Sequence, residues 1–290
     1  MPYTARHVLD EWAAVNISDV EKLISSAVSK TCQLDPAPTW LIKECCGPLA
    51  PFITLLINKS LATGCFPASF KHAVIFPLLK KNDMDPGELK NFRPVSNLPL
   101  LSKLTERVVQ IQLQAYLDTH GMMSKHQSAY RKFHSTETAL ARIYNDLLVA
   151  TDEGKVSAIC LLDLTAAFDT VDHDLILMRL QRSYGIQSHA LAWFRSYLTG
   201  RTYCVVFSGK TSASINVTCS VPQGSVLGPQ LFSLYTAELA DLASKYGVTL
   251  HAYADDNQLY VHCSISEAEQ SARNWHNASL QFSIGWRPID

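Results

Sequence analysis

The sequence predicts an α+β fold, on three observations. Apolar residues recur at helical spacing through the first half. Near residue 156 the pattern switches to short, β-branched apolar runs. Close to the end, two alternating runs flank a pair of aspartates, as in an antiparallel hairpin. A chain of 290 residues that is 47% hydrophobic can bury one large core or two modest ones.

Residues 17–62 are predicted helical, because Asp19, Val20, Leu23, Ile24 and Val28 keep a three-four spacing and Leu49, Ile53, Leu56 and Ile57 repeat it. Pro36 and Pro38 interrupt them. Residues 73–76 read as a strand that stops at Pro77, and 80–88 as a charged turn with Asp85-Pro86-Gly87 at its tip. Helical periodicity returns over 98–117 and over 136–150. The second of these helices has Ser135 or Thr136 to cap it, and Leu140, Ile143, Leu147 and Leu148 to face inward.

The continuous apolar run 156–164 predicts a buried strand. Residues 174–182 and 189–197 read as helices, and 203–207 with 215–221 as a strand pair around Gly209. Residues 231–243 read as a helix with Leu231, Leu234, Tyr235, Leu239 and Leu242 on one stripe. Residues 249–253 and 258–263 form the hairpin, with Asp255-Asp256 at its turn.

Charge is uneven along the chain. The net value is −1, a poor match to a protein that neutralises many phosphates. Between Lys71 and Lys132, however, ten basic residues face five acidic ones, so this segment carries +5 and the remainder −6. That division suits an anionic substrate and bound divalent cations, and equally suits ordinary solvated faces. The eight cysteines include no C-x-x-C pair, which excludes a zinc-ligand spacing and gives no disulfide framework. No signal peptide precedes the first helix, and the apolar stretch 48–57 is far shorter than the ~20 residues a bilayer requires. The expectation is a soluble, intracellular protein with no membrane partner.

Asp163 ends the predicted buried strand, where an idle carboxylate is costly. Asp255 and Asp256 are adjacent, and two carboxylates ~4 Å apart repel by roughly 4 kcal/mol at an effective dielectric of 20. Such groups need a counter-charge, and hard oxygen donors select Mg²⁺. If strand and hairpin are neighbours, Asp163 and Asp255 converge and can hold two Mg²⁺, an arrangement that serves in-line phosphoryl transfer. Val221-Pro222-Gln223-Gly224-Ser225-Val226-Leu227-Gly228-Pro229 is a glycine-bearing turn before a helix. Taken alone it reads simply as the start of that helix; a backbone able to approach a nucleotide is the other reading.

In combination these segments resemble a known family. The run 161–173 (Leu-Leu-Asp-Leu-Thr-Ala-Ala-Phe-Asp-Thr-Val-Asp-His), the Pro222-Gln223-Gly224 loop and Ala252-Tyr253-Ala254-Asp255-Asp256 occur in this order. They resemble the three palm motifs of non-LTR retrotransposon (LINE-type) reverse transcriptases. Asn91-Phe92-Arg93-Pro94-Val95-Ser96 and the run 127–136 extend the resemblance, which covers about residues 16–275. Tyr-Ala-Asp-Asp also occurs in group II intron maturases, but residues 168–173 and 224–229 look like LINEs instead.

The resemblance implies a right-hand polymerase with an antiparallel palm sheet backed by helices and with helical fingers. It implies an N-terminal helical extension over 1–60 and a reverse transcriptase domain over 61–290, with fingers at about 61–155 and palm at about 156–290. The implied reaction is RNA-directed DNA synthesis from an RNA template, a DNA primer and dNTPs, with two Mg²⁺ and Mn²⁺ as a possible substitute. Asp163 and Asp255 would be the principal metal ligands and catalytic residues, and Asp256 a lesser ligand. Leu164 and Thr165 would lie beside metal and triphosphate. Phe168 would sit under the sugar and exclude a 2′-hydroxyl, or be an ordinary core residue. Gln223 and Gly224 would line the nucleotide and template pocket, and Tyr253 would touch the primer end. Lys80 and Arg93 would grip the triphosphate, and Arg131 would order the fingers or contact template.

The sequence departs from the family in three places. Ala129-Tyr130-Arg131 replaces the usual Gly-Phe-Arg, and Ser220 stands where the family has Gly. After Trp275 and Asn277 the family continues to a Lys-Thr and a thumb, whereas Ser283-Ile284-Gly285-Trp286-Arg287-Pro288 breaks that pattern. The resemblance therefore implies a polymerase lacking the thumb and the family's N-terminal endonuclease. A weakly active or inert remnant that binds RNA or protein is the alternative. An RNA-dependent RNA polymerase is disfavoured, since those more often carry Gly-Asp-Asp at the hairpin.

Overall fold

A computed structural model describes residues 6–30, 32–164 and 167–285; the side chains of Asp163 and of residues 279–285 lie outside that description. Two compact units appear, Met1–Met122 with Val171–Gly228, and Met123–Thr170 with Pro229–Asp290. In the first unit the chain forms α1 (Ile17–Ser26), α2 (Thr39–Glu44), α3 (Cys46–Thr63), β1 (His72–Leu79), β2 (Phe92–Asn97) and α4 (Leu100–Thr119). The second unit takes α5 (Thr136–Asp152) and β3 (Val156–Asp163). The first is completed by α6 (His173–Arg182), α7 (Ser188–Leu198), β4 (Thr202–Phe207), β5 (Lys210–Thr211) and β6 (Ile215–Asn216). The rest is α8 (Gly228–Thr236), α9 (Glu238–Ser244), β7 (Thr249–Tyr253), β8 (Asp256–Cys263) and α10 (Ala268–Gly285).

Helix starts follow their side chains. Asn16 accepts the Asp19 amide at 2.8 Å and so caps α1. Ser135 and Thr138 form a reciprocal capping box on α5. Asp172 accepts the Leu175 amide at 2.7 Å at the head of α6.

The first unit holds a five-stranded sheet in the order β2-β1-β4-β5, with β6 also on β4; β1 and β4 run parallel. The sheet is thus mixed, and it includes β2 and β5 where the sequence predicts only the strands 73–76, 203–207 and 215–221. β1 passes through Pro77 instead of ending there, and β2 carries Pro94 opposite it. The ladder explains why both are tolerated. The Lys80 amide donates to the Asn91 carbonyl at 2.8 Å, whereas the Ser96 amide turns away from β1 to Gln223. Alternation between these points makes Pro77–Pro94 a non-hydrogen-bonded pair, so neither missing N–H costs a ladder bond.

An aromatic cluster lies within the largely aliphatic core of this unit. Trp193 stacks on Tyr197 with centroids 5.5 Å apart and donates its indole N–H to Ser60 Oγ at 3.0 Å. Phe66 meets both rings edge-on. Arg201, buried, lays its guanidinium 4.6 Å over the Tyr197 ring.

The second unit has an antiparallel sheet in the order β3-β8-β7. Ala240 and Ala243 of α9 pack with Leu250, Leu259 and Ala278 in its core. The expected buried strand is in fact an edge: Val156, Ile159 and Leu161 of β3 are exposed. A continuous apolar run cannot by itself distinguish a central strand from an uncovered edge. Leu140 and Leu148 of α5, expected inward, also face out, while Ala139, Ile143 and Ala150 are buried.

Three further expectations change. The predicted strand 215–221 pairs only at Ile215 and Asn216. The predicted helix 231–243 is two helices. The hairpin turn is Ala254-Asp255, with Asp256 already the first residue of β8. Of the aberrant tail, residues 286–290 lie outside the described residues.

Candidate active-site residues

Register brings the predicted carboxylates of the second unit together at backbone level. Asp163 of β3 pairs with Asp256 of β8, and Tyr253 of β7 pairs with Asp256 from the other side. Ala254 and Asp255 are thus the two turn residues, with φ of +58° at Ala254. A positive φ in a non-glycine residue is strained, by an amount on the order of 1 kcal/mol or more.

Gln127 compensates that strain. Its side chain is buried, and its Oε1 accepts the amides of Ala254 at 3.0 Å and Ala129 at 2.9 Å while its Nε2 donates to the Ala254 carbonyl at 3.3 Å. The Ala252 amide donates to His126 O at 2.7 Å, and the Ser128 amide donates to Ala252 O at 2.9 Å. Residues 126–128 thereby cover the outer edge of β7. Sequence reasoning assigned Gln127 no role. The available signal was a glutamine inside a motif otherwise made of exposed and small residues.

Asp255 is half-buried and Asp256 exposed. These carboxylates at one hairpin, beside the β3 terminus, are hard oxygen donors of the type that suits a divalent cation. Among the described residues no three His, Cys, Asp or Glu side chains form a metal-binding group, and the Asp163 side chain is not among them. Leu164 follows directly and is half-buried; Thr165 lies outside the described residues. Phe168 is half-buried and stacks on Phe232 of α8 at 4.8 Å and 21° between planes. Beside Tyr253 and Asp256, a cavity of about 390 Å³ is lined by Leu140, Ile143, Ile159 and Leu161. Arg131 donates to the carbonyls of Ser124 at 2.9 Å and Gln127 at 3.3 Å, which ties it to its own loop.

In the first unit, the β1–β2 register sets Arg93 opposite Leu78, and Lys80 one step beyond the end of β1 opposite Asn91. Arg93 and Lys80 therefore share a face as diagonal neighbours. Both are exposed and make no ion pair among the described residues, as an anion site needs.

The Pro222-Gln223-Gly224 loop occupies the free edge of β2, where Gln223 O accepts the Ser96 amide at 2.9 Å. Gly224 has φ of +103°, and a Cβ there would lie 2.8 Å from Ser96 O, so only glycine fits. Behind the loop stands a residue absent from the sequence reading. Glu106 of α4 is fully buried, and its Oε2 accepts the amides of Val226 at 2.8 Å and Leu227 at 3.1 Å and the Tyr197 hydroxyl at 3.1 Å. Its Oε1 accepts Ser102 Oγ at 3.0 Å. The Tyr197 phenol is pushed well above its usual range, first by burial and then by the Glu106 charge. Ser220, where the resemblance expects glycine, has φ of +105° and is held by its amide to Val171 O at 2.8 Å.

The family described as reverse transcriptase (RNA-dependent DNA polymerase) matches residues 79–282. A probable RNA-directed DNA polymerase from transposon X-element of Drosophila melanogaster is 32% identical over 71% of this chain and 22% of its own length. The RNA-directed DNA polymerase from mobile element jockey of the same species is 28% identical over 94% of this chain and 30% of its own. The chain thus spans less than a third of either relative. A structure of apo telomerase from Candida tropicalis, truncated from the C-terminal domain, superposes with a TM-score of 0.51. It is 14% identical and covers 73% of this chain and 47% of that one, a likeness of fold.

Proposed function

The chain belongs to the reverse transcriptase (RNA-dependent DNA polymerase) family, and we propose that it is the fingers-and-palm core of a non-LTR retrotransposon polymerase that copies RNA into DNA. The observation that carries this reading is the backbone pairing of Asp163 with Asp256 beside the Tyr253-Ala254-Asp255 turn. Residues 93 positions apart in the chain are thereby set side by side, in the motif order the family uses.

Asp163, Asp255 and Asp256 would hold two Mg²⁺, which supply positive charge for phosphoryl transfer from a dNTP to a primer 3′-hydroxyl. Lys80 and Arg93 bind the triphosphate, the first as a point charge and the second as a fork. Gln223 and Gly224 approach the nucleotide with backbone and amide, on a loop that Glu106 fixes from behind. Phe168, backed by Phe232, fills the space a 2′-hydroxyl would need. Tyr253 orients the primer end, and Leu164 and Thr165 offer backbone beside the triphosphate. Arg131 orders the loop that carries Gln127. In this assignment residues 61–155 correspond to fingers, 156–290 to palm, and 1–60 to an N-terminal extension.

The test is primer extension on an RNA template with dNTPs and Mg²⁺. Template-dependent extension with deoxyribonucleotides is expected. RNA binding with no incorporation would favour an inert remnant, and a preference for ribonucleotides would favour an RNA polymerase.

A further inference from the structure

The loop from Ser128 to His134 holds two residues that the proposed reaction does not use. Tyr130 and Phe133 both adopt left-handed backbone, with φ of 61° and 64°, a region that bulky side chains avoid. The Phe133 ring is 99% exposed, so no packing offsets that strain. Folding stability would favour a small polar residue or glycine there.

The loop is nonetheless firmly built. Arg131 ties it to the Ser124 and Gln127 carbonyls, the Ala129 amide enters Gln127 Oε1 at 2.9 Å, and Ala129 is buried. Ser128 Oγ sits between His251 Nε2 at 3.0 Å and His134 Nδ1 at 3.2 Å. A rigid frame therefore presents the aromatic rings outward. Along the chain between residues 125 and 142 the charge is mostly positive, with Lys125, Arg131, Lys132 and Arg142 against Glu137 alone. The loop also borders the candidate catalytic hairpin. The Ser128 amide donates to the Ala252 carbonyl, two residues before that hairpin's turn, at 2.9 Å.

We propose that Tyr130 and Phe133 form a stacking site for unpaired bases of the RNA template next to the Tyr253-Ala254-Asp255 turn, with Lys132 on the phosphates. The proposal rests on the polymerase reading for the identity of the strand. Aromatic rings flanked by basic side chains suit single-stranded nucleic acid, because every base offers a π-face and the contact tolerates any sequence. A duplex hides those faces. A protein partner is the poorer fit, since Lys132 and His134 beside Phe133 are exposed and no apolar side chain adjoins it in the loop. The left-handed backbone sets the direction in which each side chain leaves the loop before binding, which lowers part of the ordering cost.

The experiment titrates a labelled ten-nucleotide oligouridylate, the same sequence as DNA, and an RNA–DNA hybrid against wild type, Phe133→Gly and Phe133→Trp. Phe133→Gly should bind the single-stranded RNA about tenfold more weakly, within the range for losing one stacked base, and should melt no lower than wild type. Phe133→Trp should keep the affinity. In extension assays Phe133→Gly should raise KM for template and leave kcat unchanged. Unchanged RNA binding in Phe133→Gly, an equal loss of affinity for the hybrid in that variant, or a lower melting temperature in Phe133→Gly would each overturn the proposal. If wild type extends primers and Phe133→Gly binds RNA normally, the stacking site fails and the polymerase reading stands. If wild type extends no primer yet Phe133→Gly loses RNA binding, the stacking site is supported and the polymerase reading fails.

Discussion

Gln127 holds both backbone groups of Ala254, accepting its amide at 3.0 Å and donating to its carbonyl at 3.3 Å. One buried side chain thus stabilises a left-handed alanine at the turn that carries Asp255. Gln127→Leu keeps the volume and strands those backbone groups, so it should cost about 2–3 kcal/mol of stability in denaturant melts. Adding Ala254→Gly should recover roughly 1 kcal/mol, because glycine adopts positive φ freely. A Gln127→Leu protein as stable as wild type would show that the turn holds itself.

Glu106 has the corresponding role for the Pro222-Gln223-Gly224 loop. Glu106→Ala leaves the Val226 and Leu227 amides and the Tyr197 hydroxyl without their buried acceptor. A loss of about 3–5 kcal/mol is expected. Glu106→Gln retains an acceptor oxygen and should fold, with KM for dNTP raised more than kcat is lowered. Equal stability of Glu106→Ala and wild type by chemical denaturation would contradict this role.

Phe168→Val tests sugar selection. If the ring blocks the 2′ position, the variant should raise ribonucleotide incorporation relative to deoxyribonucleotide. Loss of the Phe232 stack and of core volume also predicts a cost of about 1–4 kcal/mol. Destabilisation with unchanged sugar preference would make Phe168 a core residue only. Both nucleotide classes should therefore be measured on one folded preparation.

His251 gives a pH dependence. Burial, its largest influence, lowers its pKa, with Arg142 and His126 adding to that and Gln258 and Asp146 opposing it. The native state therefore favours neutral imidazole. Its contribution to stability is complete above the unfolded value of about 6.5 and is lost as pH falls from there through the depressed native value. His251→Gln should flatten the fall in melting temperature between about pH 7 and 5. An unchanged slope would assign the pH dependence to other groups.

Much of this was legible in the sequence. Helical patterning located α1, α3, α4, α5, α6 and α7, with a cap read only at α5, because local side chains determine those elements. The Asp255 turn followed from alternation on either side. β2 was not legible, because Pro94 argues against a strand until its partner is known to place Pro77 opposite. The exposure of β3 depends on which strands lie beside it, which no run of apolar residues reports. Glu106 and Gln127 escaped for a related reason. Each acts on backbone amides more than 100 residues away, and sequence spacing carries no signal for such a contact.

In the reading proposed above, Asp255 serves phosphoryl transfer at the β7–β8 turn. Single-nucleotide incorporation by Asp255→Asn on an RNA template with Mg²⁺ tests it most directly, with folding verified by circular dichroism. The substitution is nearly isosteric and removes repulsion with Asp256, so the apo protein should be as stable as wild type or more so. The predicted result is a folded protein with no detectable incorporation. Incorporation at the wild-type rate would contradict the claim.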